Sequence, residues 1–148
     1  MRKKGSIFIL EKERNEDLMR IYREITKKQL NLYGRVCHAK ILEKVVNSQA
    51  SRYWVSPERA SSIIYKMEKG MSFKGMKKNT VLFYKSLYYD YRLYKDFHPK
   101  MSTRAIVEEV LMQPAPCFLI TPRVAGDVIY KMKKKCQQQT IRNLRCSY

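Results

Sequence analysis

Ile41-Leu-Glu-Lys-Val-Val-Asn-Ser-Gln-Ala-Ser-Arg-Tyr-Trp-Val-Ser-Pro-Glu-Arg-Ala-Ser-Ser-Ile-Ile-Tyr-Lys-Met-Glu-Lys69 aligns without a gap on Ile106-Val-Glu-Glu-Val-Leu-Met-Gln-Pro-Ala-Pro-Cys-Phe-Leu-Ile-Thr-Pro-Arg-Val-Ala-Gly-Asp-Val-Ile-Tyr-Lys-Met-Lys-Lys134. The offset from Ile41 to Ile106 is 65 residues and holds throughout. Ile41, Glu43, Val45, Ala50, Pro57, Ala60, Ile64, Tyr65, Lys66, Met67 and Lys69 all recur in the second stretch. An internal repeat of this length means that one supersecondary unit is used twice, so any surface it presents is presented twice.

Each copy reads as helix, connection, helix. Ile41, Leu42, Val45 and Val46 have helical spacing over roughly His38 to Asn47. Tyr53-Trp-Val-Ser-Pro57 and its echo Phe118-Leu-Ile-Thr-Pro122 then leave the helical region, because a residue before proline is pushed toward extended backbone. Ser56 and Thr121 are good caps, and Pro57 and Pro122 suit the first helical position. The connection, about eight to ten residues long, is too bulky to hang in solvent, so it is expected to be buried. Tyr53–Val55 and Phe118–Ile120 are also β-rich, which raises a second option: a short two-stranded antiparallel ribbon between the copies.

A leading helix precedes each copy. Asn15, Glu16 and Asp17 read as a helix start, followed by Leu18, Ile21, Tyr22 and Ile25 at helical spacing and a stop near Gly34. Asn79 to Lys95 occupies the same place before the second copy, with Tyr84, Leu87, Tyr88, Tyr91 and Tyr94 toward the core and Tyr89 outward. The expected architecture is all-α, a tandem duplication of a tri-helical module loosely of helix-turn-helix type. Residues 1–14 form a basic arm, 15–70 and 77–135 the two modules, and 136–148 a basic tail. A helix-turn-helix connection is usually three or four residues, often with glycine, so the likeness is loose.

Charge is the outstanding compositional feature. The 148 residues carry 31 Lys and Arg against 13 Asp and Glu, a formal net charge of +18. Residues 1–75 hold 17 basic and 8 acidic side chains and 76–148 hold 14 and 5, so the excess belongs to the whole chain and not to a tail. Such self-repulsion favours a polyanionic partner, and nucleic acid leads. No apolar run approaches the ~20 residues that span a bilayer, so no membrane partner is expected, and the short apolar run Ile7–Leu10 does not make a signal peptide. The expected location is cytoplasmic. Cys37, Cys117, Cys136 and Cys146 form no metal-type pair, and no metal or cofactor is expected.

Projecting the second helix of each copy at about 100° per residue puts Ala60, Ile63, Ile64 and Met67, or Ala125, Val128, Ile129 and Met132, on the core face. The opposite face carries Arg59, Ser62, Tyr65, Lys66 and Lys69 in one copy and Asp127, Tyr130, Lys131 and Lys134 in the other, with Lys135 beside them. Core packing accounts for repeated Ala, Ile and Met, but it does not call for a repeated Tyr-Lys-x-x-Lys outside. Lysine suits phosphate oxygens, and tyrosine stacks on a base or donates its hydroxyl to phosphate. Arg59, Tyr65, Lys66, Lys69, Tyr130, Lys131, Lys134 and Lys135 are therefore the candidate nucleic-acid contacts. The bland alternative is a solvated helix end, where lysine is favoured by the macrodipole. Arg2, Lys3 and Lys4, and the run from Lys131 to Arg145, are further basic clusters of low specificity. Catalytic residues are not expected: His38 and His98 are the only histidines, and no Gly-rich phosphate loop or metal-hydrolase motif occurs.

Val45-Val-Asn47, Tyr53-Trp-Val-Ser56, Glu58-Arg-Ala60, Gln113-Pro-Ala-Pro116 and Tyr130-Lys131 resemble a family of small basic bacterial proteins without an assigned activity, over Asp17 to Lys134. The resemblance implies a bacterial or mobile-element origin. The sequence thus points to a helical nucleic-acid-binding protein, DNA favoured over RNA because a capped short helix fits a major groove. The alternative is a structural or protein-interaction component of a phage particle or ribonucleoprotein.

Overall fold

The computed structural model describes the backbone from Gly5 to Cys146 and the side chains of residues 8–144. Six helices follow in order: α1 (Gly5–Tyr33), α2 (His38–Val46), α3 (Pro57–Glu68), α4 (Lys78–Phe97), α5 (Thr103–Leu111) and α6 (Pro122–Cys146). They form two tri-helical clusters, α1·α2·α6 and α3·α4·α5, an all-α fold in keeping with the duplication. Arg2, Lys3, Lys4 and the side chain of Arg145 lie outside the described residues.

The third helix of each copy packs away from its own leading pair. In sequence the order is 15–70 and then 77–135, but α3 packs on α4 and α5, and α6 packs on α2. The two compact units accordingly interleave: Asn47–Leu119 with the stretch ending at Arg14, and Asn15–Val46 with the stretch from Ile120. The physical reason is the connection. Residues 47–56 and 112–121 are about ten residues each and reach up to ~33 Å when extended, whereas a three- or four-residue turn would hold the third helix against the second.

In the unit containing both connections, Tyr53, Val55, Cys117 and Phe118 are buried, as their bulk requires. The expected ribbon is reduced to one antiparallel bridge between Ala50 and Ala115. These two residues are 65 apart, the repeat offset, and exchange both backbone bonds: Ala50 N–H donates to Ala115 O at 3.0 Å and Ala115 N–H to Ala50 O at 3.1 Å. The β-rich triplets do not extend the ladder, because Tyr53 N–H donates to Leu111 O and Val55 N–H to Tyr53 O. The core of this unit is Ala60, Ile63 and Ile64 from α3, Phe83, Leu87 and Tyr91 from α4, and Ile106, Val107, Val110 and Leu111 from α5. Each large side chain buried there contributes about 1.5–3 kcal/mol.

In the other unit α1 supplies Leu18, Met19, Ile21 and Tyr22, α2 supplies Ile41, Val45 and Val46, and α6 supplies Ala125 and Ile129. Tyr22 meets α2 edge-on at His38, with 6.1 Å between ring centroids. A side chain at Gly126 would stand 3.1 Å from Leu42 Cδ1, so the missing Cβ lets α6 lie close on α2. Met67, Val128 and Met132, placed in the core by periodicity, are only half-buried.

Helix ends differ from expectation in three places. Asn15 does not cap α1, which begins by Gly5; Arg20 takes Asp17 at 2.8 Å, so the polar residues read as a start serve inside the helix instead. The stretch from Gly5 to Arg14, expected as an arm, is therefore helical. The stretch from Cys136, expected as a tail, is helical to Cys146. The cause is one residue: α3 is closed by Gly70 at φ +78°, with Met71 N–H bonded to Lys66 O at 3.2 Å, while the equivalent position of the second copy is Lys135. Glycine adopts that left-handed turn freely and lysine does not, so α6 runs on.

Candidate nucleic-acid interface

The eight candidate residues sit on α3 and α6, and both helices are started by the local chemistry read from the sequence. Ser56 has extended backbone (φ −68°, ψ 152°), and its Oγ accepts from Arg59 N–H at 3.2 Å, with Pro57 following. Thr121 Oγ1 accepts from Val124 N–H at 3.2 Å in the second copy. Fixing the start fixes the rotation of each helix, and burial of Ala60, Ile63 and Ile64, or Ala125 and Ile129, turns the opposite side outward.

On α3, Arg59, Ser62, Lys66 and Lys69 are exposed, and Tyr65 is 61% exposed. Lys69 Nζ lies 5.3 Å from the centroid of the Tyr65 ring, a cation–π contact that holds aromatic and charge side by side. The acid next to this face, Glu58, is met by Arg104 Nη2 at 3.5 Å, and Arg104 Nε donates to Glu108 at 3.3 Å. These exposed pairs add little stability, but they place a cation against one of the two acids of α3.

On α6, Lys131, Lys134 and Lys135 are exposed, and Tyr130 is 67% exposed. Exposed Asp127 and Val124 stand where the first copy has Ser62 and Arg59, so the N-terminal half of this face is less basic. Among the described residues none of the eight candidates forms an ion pair. Lys133 belongs to a different site: its ammonium donates to Tyr22 Oη at 2.9 Å and stands 4.6 Å from that ring. Because α3 and α6 lie in different units, each face is a surface in its own right.

Periodicity did not find the polar network in the core of the first unit. Tyr53 is fully buried, and its hydroxyl donates to Asp90 Oδ2 at 2.7 Å and accepts from Ser86 Oγ at 2.6 Å. Burial first, then the neighbouring carboxylate, push the Tyr53 phenol well above its usual range. A signal was present: the repeat pairs Tyr53 with Phe118, and the residues 65 positions before Ser86 and Asp90 are Ile21 and Ile25. The hydroxyl belongs to the first copy and finds both its partners on α4, the leading helix of the second. Near this network a groove of about 550 Å³ runs between α4 and α5, with Leu93, Phe97 and Pro114 in its walls. Cys117 Sγ lies 3.4 Å from Asn79 O, and burial raises its thiol pKa. Among the described residues no three His, Cys, Asp or Glu side chains are grouped to hold a metal, and no helix is long and apolar enough to cross a membrane.

No family model, curated protein or solved structure matches this chain.

Proposed function

We propose that this protein binds nucleic acid, double-stranded DNA in preference to RNA, through phosphate contacts from the outer faces of α3 and α6. The observation that carries this reading is the exposure of both Tyr65 (61%) and Tyr130 (67%) at equivalent positions, each flanked by lysines that form no ion pair among the described residues. A tyrosine kept for packing would be covered; these two are free to stack or to donate to phosphate. The net charge of +18 supplies the long-range attraction. Arg59, Lys66, Lys69, Lys131, Lys134 and Lys135 provide the phosphate contacts, and the capped starts of α3 and α6 give each helix a fixed orientation toward a groove.

The test is to replace Lys66, Lys69, Lys131 and Lys134 together by alanine and measure duplex DNA and RNA affinity by fluorescence anisotropy. Four lost phosphate contacts reduce the salt slope by about 3.6, with DNA bound more tightly than RNA by the unaltered protein. A folded variant that binds as before refutes the proposal. A second reading, a protein-interaction component of a particle or ribonucleoprotein, is favoured by Phe97, 75% exposed beside the groove of the first unit. Gel filtration separates the two: nuclease collapses a nucleic-acid complex and leaves a protein assembly intact.

A further inference from the structure

A second cavity, of about 550 Å³, lies between α1 and α6 in the unit built from Asn15–Val46 and the stretch from Ile120. Arg23, Lys27 and Lys133 line it, and among the described residues no carboxylate does. Lys133 is held in place without a counter-charge: Tyr22 Oη takes one of its three N–H bonds at 2.9 Å and the Tyr22 ring faces it at 4.6 Å, leaving the ammonium with donors to spare. Three cations around one cleft favour an anion with several acceptor oxygens.

The rest of the lining tells what that anion is attached to. A phosphate alone needs far less room, whereas this volume falls in the ~300–1,000 Å³ range of small-molecule sites. Leu30 gives an apolar wall for a flat ring, and the amides of Asn31 and Gln137 offer paired donors and acceptors of the kind that read a base edge. We infer that this cleft binds a phosphate monoester of nucleotide size, its phosphate on Arg23, Lys27 and Lys133 and its base against Leu30, Asn31 and Gln137. The inference does not rest on the outer faces of α3 and α6, since it uses none of their eight residues.

Calorimetric titration of the full chain, with amide shifts followed by NMR, tests it using a nucleoside monophosphate, the unphosphorylated nucleoside and inorganic phosphate. The monophosphate is expected to bind at one site and to shift amides around Thr26 and Lys133, with nucleoside and inorganic phosphate each about tenfold weaker or more. Arg23→Gln with Lys27→Gln, both exposed and so harmless to folding, lowers monophosphate affinity at least about tenfold, and Lys133→Gln does the same. A 5′-phosphorylated oligonucleotide compared with its 5′-hydroxyl form separates sources: a preference for the phosphorylated end assigns the site to strand ends, and none assigns it to the free nucleotide. Absence of monophosphate binding up to about 10 mM overturns the inference. So does equal binding of inorganic phosphate, or unchanged affinity in the folded Arg23→Gln, Lys27→Gln protein. The quadruple lysine variant of α3 and α6 should bind the monophosphate normally.

Discussion

Tyr53→Phe removes one oxygen from the interior and tests how the first unit is held. The hydroxyl makes two bonds, at 2.6 Å to Ser86 and 2.7 Å to Asp90. Asp90 and Ser86 are half-buried, so water reaches them when the hydroxyl goes, and the full penalty for an orphaned buried carboxylate is avoided. What remains is about 1 kcal/mol for each bond, giving ~2 kcal/mol of lost stability. For a chain of 148 residues this corresponds to a fall in Tm of about 4–8 °C. Urea unfolding followed by circular dichroism measures it.

The same substitution carries a pH signature. The Tyr53 phenol is raised in the folded protein above its ordinary value near 10, by burial and by Asp90. The folded state therefore keeps its proton where the unfolded state loses it. This contribution is fully present below pH ~10 and declines as pH rises above it, by up to about 1.4 kcal/mol for each pH unit. Tyr53→Phe has no such proton to hold, and the other tyrosines are common to both proteins. The stability gap between wild type and variant should thus be flat from pH 7 to 9 and shrink above pH ~10. A gap below about 0.5 kcal/mol at pH 7, or one that stays constant to pH 11, refutes the buried network.

Phe118→Tyr, the reverse change in the other copy, puts a hydroxyl into a fully buried position and should cost about 1–3 kcal/mol in the same urea assay. Ser56→Ala and Thr121→Ala each remove a cap and should cost ~1 kcal/mol apiece, additively, because the caps lie on separate helices. A protease cut between Gly70 and Lys77 should leave the two fragments co-eluting on gel filtration, since α3 packs on α4 and α5 beyond the cut and α6 packs on α2 before it. If DNA engages about six phosphates, affinity should fall on the order of a thousandfold between 50 and 200 mM salt, and a shallow slope would dissociate the charge from binding. Iodoacetamide should label exposed Cys37 and Cys136 in the native protein and reach buried Cys117 only after unfolding, as peptide mass mapping would report.

Signals carried by a few adjacent residues were the legible ones. Ser56-Pro57 and Thr121-Pro122 located the starts of α3 and α6 to the residue, because capping and proline geometry are decided within one turn. The outward positions of Tyr65 and Tyr130 followed from the 3.6-residue period once the starts were known. The beginning of α1 was missed because Asn15 to Asp17 carry a capping composition, and composition does not reveal that the ten residues before them continue the helix. The cleft of Tyr22, Arg23, Thr26, Lys27 and Lys133 was illegible for another reason: Tyr22 and Lys133 are 111 residues apart in the chain, and Lys133 reads as one more member of a basic run until Tyr22 is seen to hold it.

Helix exchange ties the copies together in a way that the alignment alone does not express. Ile63 and Ile64 belong by descent to the first copy, yet α3 buries them against α4 and α5, which lead the second. Gly126 belongs to the second copy and meets Leu42 of the first. A substitution in either third helix is therefore felt in the cluster founded by the other copy, and the two repeats cannot be stable as separate pieces of sequence: each leading pair would leave its apolar face open where the partner's third helix now lies. The reciprocal Ala50–Ala115 bridge fits the same logic, since both connections leave their own second helices there and small side chains let the two backbones meet. The long, buried, glycine-free connection that made the helix-turn-helix likeness loose is what permits the exchange, so the feature that weakened the comparison in sequence determines the packing in three dimensions.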